Sequence, residues 1–230
     1  MDFSGKTVVV TGGTGALGSA VVTALVEAGA KCRVPYVIEA EEKNFALRGD
    51  KRVNLVRVND LAEEQEVDEL YEGVSDLWAS IHIAGGFAMG NVADTNKAGL
   101  MAQIDMNLVS CFLCCRAAIK LMKNGGRIVN VAARPALEWR SGAGMTAYTI
   151  AKTGVAALTV ALAQEVAKDG ILVNAIAPSI INTAANRAAM PKAEHAAWPT
   201  TEEIAQSILF LASADNRVTR GSIVTVYGKS

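Results

Sequence analysis

The stretch Thr7-Val8-Val9-Val10-Thr11-Gly12-Gly13-Thr14-Gly15-Ala16-Leu17-Gly18 decides how this chain is read. Its first part is an unbroken apolar run, the mark of a strand buried on both faces. A helical pattern begins at about Ala16. The glycines between them meet three needs of a turn that holds a pyrophosphate. One permits the tight turn, one lets the backbone approach the phosphates, and one lets the helix pack on the sheet. Backbone N–H groups at the helix N-terminus then face the negative charge. A glycine loop after a strand and before a helix has the context that separates it from an ordinary turn. The loop lacks Gly-Lys-Ser/Thr, so it is not a P-loop. It reads as a dinucleotide site with Gly12, Thr14, Gly15, Ala16, Leu17 and Gly18 as contacts.

Outward from the loop, short apolar runs alternate with longer helical patterns. Runs rich in Val and Ile at 7–10, 32–37, 55–58, 79–84, 127–131, 172–176 and 222–226 are expected strands. Helical patterns fall at 16–28, 63–73, 97–123, 146–168 and 201–212. This alternation predicts an α/β fold, a doubly wound parallel sheet between two layers of helices. The 230 residues fit one domain spanning 1–230, with no internal repeat and no linker. The least regular stretch is 182–200, with Pro191, His195, Trp198 and Pro199, and it is expected to be a short substrate lid.

Apolar residues make up 51 % and charged residues 20 %, and the formal net charge is −1. No basic run offers a nucleic-acid footprint, and no strong field draws the chain to an anionic surface. No charge-free apolar run reaches the roughly 18 residues that span a bilayer. The N-terminus, Met1-Asp2-Phe3-Ser4-Gly5-Lys6, has no signal-peptide pattern, and a cytoplasmic location is expected. Cys111, Cys114 and Cys115 share one apolar stretch and one helix face, and they read as small core residues. Cys32 stands alone. His82 and His195, the two histidines, have no ligand-like spacing, so no metal is expected. The cysteine usage fits a reducing compartment.

Tyr148-Thr149-Ile150-Ala151-Lys152 lies at the start of the 146–168 helix. Four residues apart, the two side chains share a face. A nearby ammonium favours the tyrosinate, which is expected to lower the Tyr148 pKa and suit it to general acid/base work. Further pieces stand in order along the chain: Asn59-Asp60 after the third strand, Ala84-Gly85-Gly86 after the fourth, Asn107 in the 97–123 helix, and Asn174-Ala175-Ile176-Ala177-Pro178. Together with the glycine loop and the Tyr–Lys pair, these resemble the short-chain dehydrogenase/reductase family over nearly the whole chain.

The resemblance implies a Rossmann-type sheet of about seven strands in the order 3-2-1-4-5-6-7. It implies an NAD(P)-dependent oxidoreductase acting on a small carbonyl, alcohol or imine substrate. Tyr148 would exchange a proton with the substrate, Lys152 would bind the nicotinamide ribose and tune Tyr148, and Asn107 would support a water-linked proton path. Asp60 would bond the adenine with Leu61 beside it. Ala84, Gly85 and Gly86 would line the riboses, and Pro178, Ile181 and Thr183 would contact the carboxamide. The second strand ends near Tyr36-Val37, where an acidic residue would favour NAD and a nearby Arg would favour NADP. Neither stands there, with Arg33 and Glu39 only nearby, so both cofactors stay open and Tyr36 is the contact at that point. Relatives of this kind form dimers or tetramers through the helices carrying Asn107 and Tyr148.

Departures from the family pattern matter. Ala16 replaces a usual glycine. His82-Ile83-Ala84-Gly85 replaces Asn-Asn-Ala-Gly, which makes His82 a strand residue near the cofactor and not a base. Ser179 follows Pro178 where Gly is usual, and it would sit near the nicotinamide. The catalytic serine expected after the fifth strand is missing, because Ala132 and Ala133 occupy both candidate positions. Ser141 and Thr146 are the hydroxyls available to replace it. The dihydropteridine reductase branch also lacks this serine, and Ala84–Asn91 and Gly144–Tyr148 resemble it locally. A non-catalytic dinucleotide sensor or scaffold on the same fold is the alternative reading, and a purely structural protein is a third.

Overall fold

Strands β1 (Thr7–Thr11), β2 (Lys31–Tyr36), β3 (Val53–Arg57), β4 (Leu77–His82), β5 (Gly126–Val131), β6 (Ile171–Pro178) and β7 (Ile223–Val226) form one sheet in the computed structural model. The structure describes residues 1–230. The order is 3-2-1-4-5-6-7. Every neighbouring pair is parallel. The sheet carries α1 (Ala16–Glu27), α2 (Glu39–Asn44), α3 (Glu64–Tyr71), α4 (Lys97–Ile104), α5 (Ser110–Leu121), α6 (Thr146–Glu165), α7 (Ala184–Ala189) and α8 (Thr201–Ala212).

The period-2 alternation of a strand explains why the runs had to be apolar throughout. Val8 and Val10 join one core with Val22 and Leu25 of α1 and Ile204 and Ile208 of α8. Val9 points the other way, into a second core with Leu70 of α3, Leu113 of α5 and Val155 and Leu162 of α6. Two cores, one per face, leave the central strands with no solvated side.

Several boundaries differ from the sequence reading. The expected strand at 79–84 ends at His82, because the Ile83 and Ala84 N–H groups both turn to the Thr11 carbonyl, at 3.1 and 3.2 Å. The expected single helix over 97–123 is α4 and α5 joined by a π-helical turn, Asp105–Val109. Asn107 sits in that turn and donates its Nδ2 to the Gln103 carbonyl at 3.0 Å, a local bond that competes with the helix ladder. The short helices α2 and α7 are additional. Neither has a buried residue, so no apolar periodicity announces them.

The 182–200 segment is more regular than expected. Asn182 N–H donates to the Pro199 carbonyl at 2.9 Å, and Asn182 Nδ2 donates to the His195 carbonyl. The His195 ring lies 4.7 Å from that of the buried Trp198. The chain therefore leaves and returns through one pinned base, with α7 in the excursion.

Lys97–Leu121 and Thr146–Glu165 are long and apolar enough, by length and composition, to cross a membrane. Both lie on the sheet instead. Cys111, Leu113, Cys114 and Ala118 of the first, and Val155, Thr159 and Leu162 of the second, are buried.

Candidate functional site

In a 3-2-1-4 order, chain direction across the sheet reverses between β1 and β4, and the crevice outside their carboxyl ends is where an α/β sheet takes ligands. The glycine loop follows β1 and Ala84–Gly86 follows β4, so both predicted segments meet there. Gly12 has φ +68°, and a Cβ on it would lie 2.6 Å from the Ala84 nitrogen. A Cβ on Gly18 would collide with the Gly12 carbonyl oxygen. These two glycines let β1, β4 and α1 close on one another. The N-terminus of α1 has no side-chain cap and no acidic residue in its first turn. Its N–H groups and its dipole are left for an anion. The cradle therefore fits the pyrophosphate of a dinucleotide.

The catalytic candidates converge on the other side of Gly85. A Cβ there would lie 2.5 Å from Asn107 Oδ1 and 3.4 Å from Lys152 Nζ. Asn107 is itself locked: Gly86 N–H donates to its Oδ1 at 3.2 Å, and its Nδ2 donates to Gly86 O at 3.0 Å. Lys152, 5 % exposed, donates from Nζ to the Val131 carbonyl at 2.8 Å. Its Nζ is 5.9 Å from the centre of the Tyr148 ring.

Electrostatics correct one expectation. Burial brings the Lys152 ammonium down to about 8. Burial pushes the Tyr148 phenol up to about 12, not down. The physical reason is that Lys152 is committed to a carbonyl of β5 while the Tyr148 phenol loses water, so desolvation of the tyrosinate dominates.

The two hydroxyls expected to replace the missing serine, Ser141 and Thr146, are engaged elsewhere. Ala132 is buried in the core under α5 and α6. Ala133 is extended, at φ −161°, where the chain leaves β5. Ser141 Oγ donates to the Glu138 carbonyl at 2.8 Å. Thr146 stands roughly 200° around α6 from Tyr148, at 100° per residue, and lines a separate groove with Trp139, Thr149 and Thr153. An apolar wall stands beside Tyr148 instead. The Phe87 ring meets the Tyr148 ring edge-on, 5.1 Å between centres. Gly90 N–H donates to the Gly144 carbonyl at 2.8 Å, tying this loop to the entry of α6. Phe87 and Met89 are 57 % and 69 % exposed. Nothing in the sequence singles Phe87 out by spacing.

The remaining predicted contacts lie at or just after the carboxyl ends of their strands. Tyr36 ends β2, in register with Arg57. Asp60 Oδ1 accepts the Ala62 N–H at 2.8 Å, and Leu61 is buried beside it. Pro178 ends β6 against Val226. Ile181 packs on the α1/α8 core, and Thr183 Oγ1 caps α7 by accepting the Asn186 N–H at 3.2 Å. Ser179 is turned away from the expected place, its Oγ donating to the Tyr227 carbonyl at 3.0 Å. The sequence reading missed Glu41, whose carboxylate accepts the Thr14 hydroxyl at 2.9 Å. It lies on α2, the helix with no sequence signal.

Comparison with known proteins agrees with this geometry. The family described as Enoyl-(Acyl carrier protein) reductase matches residues 13–228. Galactitol 2-dehydrogenase of Rhizobium johnstonii is 35 % identical over 242 residues, covering 97 % of this chain and 94 % of that protein. The 3-oxoacyl-(acyl-carrier-protein) reductase FabG of Rickettsia typhi is 31 % identical over 245 residues, covering 99 % and 98 %. The crystal structure of gox2181 superposes with a TM-score of 0.91 at 28 % identity, covering 99 % of this chain and 96 % of that one. With the family match spanning nearly every element of the sheet, this chain belongs to the short-chain dehydrogenase/reductase family of oxidoreductases.

Proposed function

We propose that the protein is an NAD(P)-dependent oxidoreductase for a small, largely apolar carbonyl, alcohol or imine substrate, with Tyr148 as its general acid/base. The observation that carries the reading is the meeting of Lys152 Nζ and Asn107 Oδ1 at Gly85, one residue beyond the Ala84 that packs against Gly12. Members of the family use NAD(P), and the nicotinamide supplies or accepts the hydride when bound. The chain's own residues do the rest. The α1 N-terminus holds phosphate charge. Lys152, anchored at Val131, presents its remaining ammonium protons near Gly85. Tyr148 gives a proton to the substrate heteroatom from its phenol oxygen, or takes one there.

Two features narrow the substrate. The Phe87 ring against Tyr148, with Met89 beside Gly144 at the entry of α6, makes this approach apolar. The alanines at 132 and 133 leave no second donor beside the reacting oxygen, and such a donor is worth roughly 10²–10³ in rate on a carbonyl. A conjugated imine, as in the dihydropteridine reductase branch, needs that donor less than a ketone does. Glu41 favours NAD, because it is the one acidic residue in the first turn of α2 without a basic partner: Glu39 pairs with Lys43 and Arg57, and Glu42 with Arg48.

We infer one domain over 1–230, with 182–200 as its lid. Four free, buried cysteines support a reducing, cytoplasmic setting. A dimer or tetramer is proposed through the outer faces of α4–α5 and α6, where Met101, Phe112, Ile150 and Val160 are exposed.

The test follows NADH and NADPH oxidation with ketones, quinones, imines and quinonoid dihydropterin, native against Tyr148→Phe. The expected result is turnover that falls by roughly 10²–10⁴ in the variant, with cofactor affinity unchanged. Turnover that survives loss of the hydroxyl would overturn the role of Tyr148. Tight cofactor binding with no turnover on any acceptor would favour the sensor or scaffold.

A further inference from the structure

The cysteines that read as plain core residues face a histidine that the sequence places far from them. His82, at the end of β4, meets Cys111 and Cys115 of α5, and one ligand atom from each lies within 4.8 Å of the others. All three side chains are buried. Cys115 Sγ is 3.5 Å from His82 Nδ1. Asn130 of β5 brings its Oδ1 to 2.8 Å from that nitrogen and 3.6 Å from Cys115 Sγ. The amide cannot turn over freely, because its Nδ2 donates to Thr159 Oγ1 at 2.9 Å and Thr159 in turn donates to the Val155 carbonyl at 2.8 Å. Two sulfurs, one imidazole nitrogen and one amide oxygen therefore converge from two strands and a helix.

We propose that His82, Cys111, Cys115 and Asn130 bind a structural zinc ion. With Zn–S near 2.3 Å and Zn–N near 2.0 Å, a tetrahedron has edges of about 3.4–3.8 Å. The separations of Cys115 Sγ from His82 Nδ1, 3.5 Å, and from Asn130 Oδ1, 3.6 Å, are already such edges, whereas Asn130 Oδ1, now 2.8 Å from His82 Nδ1, draws back by about half an ångström when the ion enters. Charge also fits: Zn²⁺ displaces the two thiol protons to solvent, and the resulting ion with two thiolates is neutral, which limits the cost of burial. The far side of the imidazole has the support that a metal-bound histidine needs. His82 Nε2 is 2.8 Å from Ser80 Oγ, which is 2.6 Å from Tyr71 Oη. With zinc on Nδ1, Nε2–H donates to Ser80. Without it, Nδ1–H donates to Asn130 and Nε2 accepts from Ser80. The metal and metal-free networks thus differ in tautomer and in thiol protonation. Because the site is walled off, the ion is taken up during folding. It would pin the end of β4, two residues before Ala84.

The full-length chain, produced with zinc or with cobalt and purified without chelator, decides the matter. The expected content is about one zinc per chain, with a thiolate-to-cobalt charge-transfer band and tetrahedral d–d bands in the cobalt form. Cys115→Ala should lower the metal content at least about tenfold, whereas Cys114→Ala, on the same helix but outside the set, should keep it. Folded native protein holding less than about 0.1 metal per chain after production in zinc overturns the proposal. So does equal metal loss in the two cysteine variants, or a cobalt spectrum without the thiolate band. If Cys115→Ala does not fold, the native cobalt spectrum and metal content still decide.

Discussion

The two halves of the crevice are built from different materials. On the β1 side the site is backbone: Gly12 and Gly18 are needed because any Cβ there meets a neighbouring main chain. On the opposite side it is side chains: Tyr148 and Lys152 of α6 and Asn107 of the turn between α4 and α5, placed by the Phe87 ring, the Val131 carbonyl and the Gly86 backbone. A backbone site allows few residue types and leaves a dense signature. A side-chain site can lose a member, as at Ala132 and Ala133, while its frame stays intact. The backbone half should therefore fail abruptly, and the side-chain half should respond by degrees.

The largest effect is expected on the backbone side. In Gly18→Ala the new methyl collides with the Gly12 carbonyl and lies 2.6 Å from Gly13 Cα. Both are main-chain atoms, so the cradle must open. Affinity for NADH, followed by the quenching of protein fluorescence, should fall by about 10²-fold or more, which is roughly 2.8 kcal/mol. A variant that binds as well as the native chain would show that the cradle is not where the cofactor's phosphates sit.

On the side-chain side a missing group can be restored. Ala133 is buried, 6 % exposed, but joins neither packed cluster, whereas Ala132 lies inside one. Ala133→Ser should therefore be tolerated and should raise turnover on ketones by roughly ten- to a hundredfold, part of what such a donor is worth. Imine substrates should gain much less. An equal gain on both classes would break the link between the absent serine and the substrate.

These halves also explain what the sequence could reveal. The strands were legible because two-sided burial forces unbroken apolar runs, and the strand order followed from the family likeness. The glycine loop was legible for the reason given above, and Tyr148 and Lys152 because four residues on a helix share a face. The π-helical turn at Asn107 was not legible, since it depends on which carbonyl one amide chooses. Nor was the company of His82, whose partners Cys111 and Cys115 come from a helix about 30 residues on and are joined to it only by the packing of α5 on β4. The direction of the Tyr148 shift was misread because spacing gives proximity to Lys152 but not the burial that outweighs it.

Lys152 gives a smaller effect, with a defined sign. Its folded value of about 8 lies below its ordinary 10.5. Between those pH values the unfolded chain holds more protons than the folded one, so this group makes stability rise with pH across that window. Tyr148 works in the opposite sense, but only from about 10 to 12. Denaturant melts of native protein and Lys152→Met between pH 8 and 10 should diverge in slope by roughly 1 kcal/mol per pH unit. The native protein gains relative to the variant as pH rises. Parallel slopes would mean that Lys152 is solvated and not held beneath Val131.

The mildest perturbation returns to the rim of the backbone half, where one side chain does matter. Glu41 holds the Thr14 hydroxyl at 2.9 Å and has no basic partner, while Glu39 and Glu42 are paired with Arg57 and Arg48. Its charge is thus uncompensated beside the loop, and a second negative group brought there is repelled through solvent. The native protein should prefer NADH to NADPH, the latter carrying the extra phosphate. Glu41→Gln keeps an acceptor for Thr14 and removes only the charge, so the ratio of kcat/KM for the two cofactors should shift towards NADPH by about two- to fivefold, the scale of an exposed charge pair. Because the interaction is exposed, raising the salt should shrink the difference between native and variant. A shift of the same size in Thr14→Val, which loses the hydrogen bond but keeps the carboxylate, would assign the effect to loop geometry and not to charge.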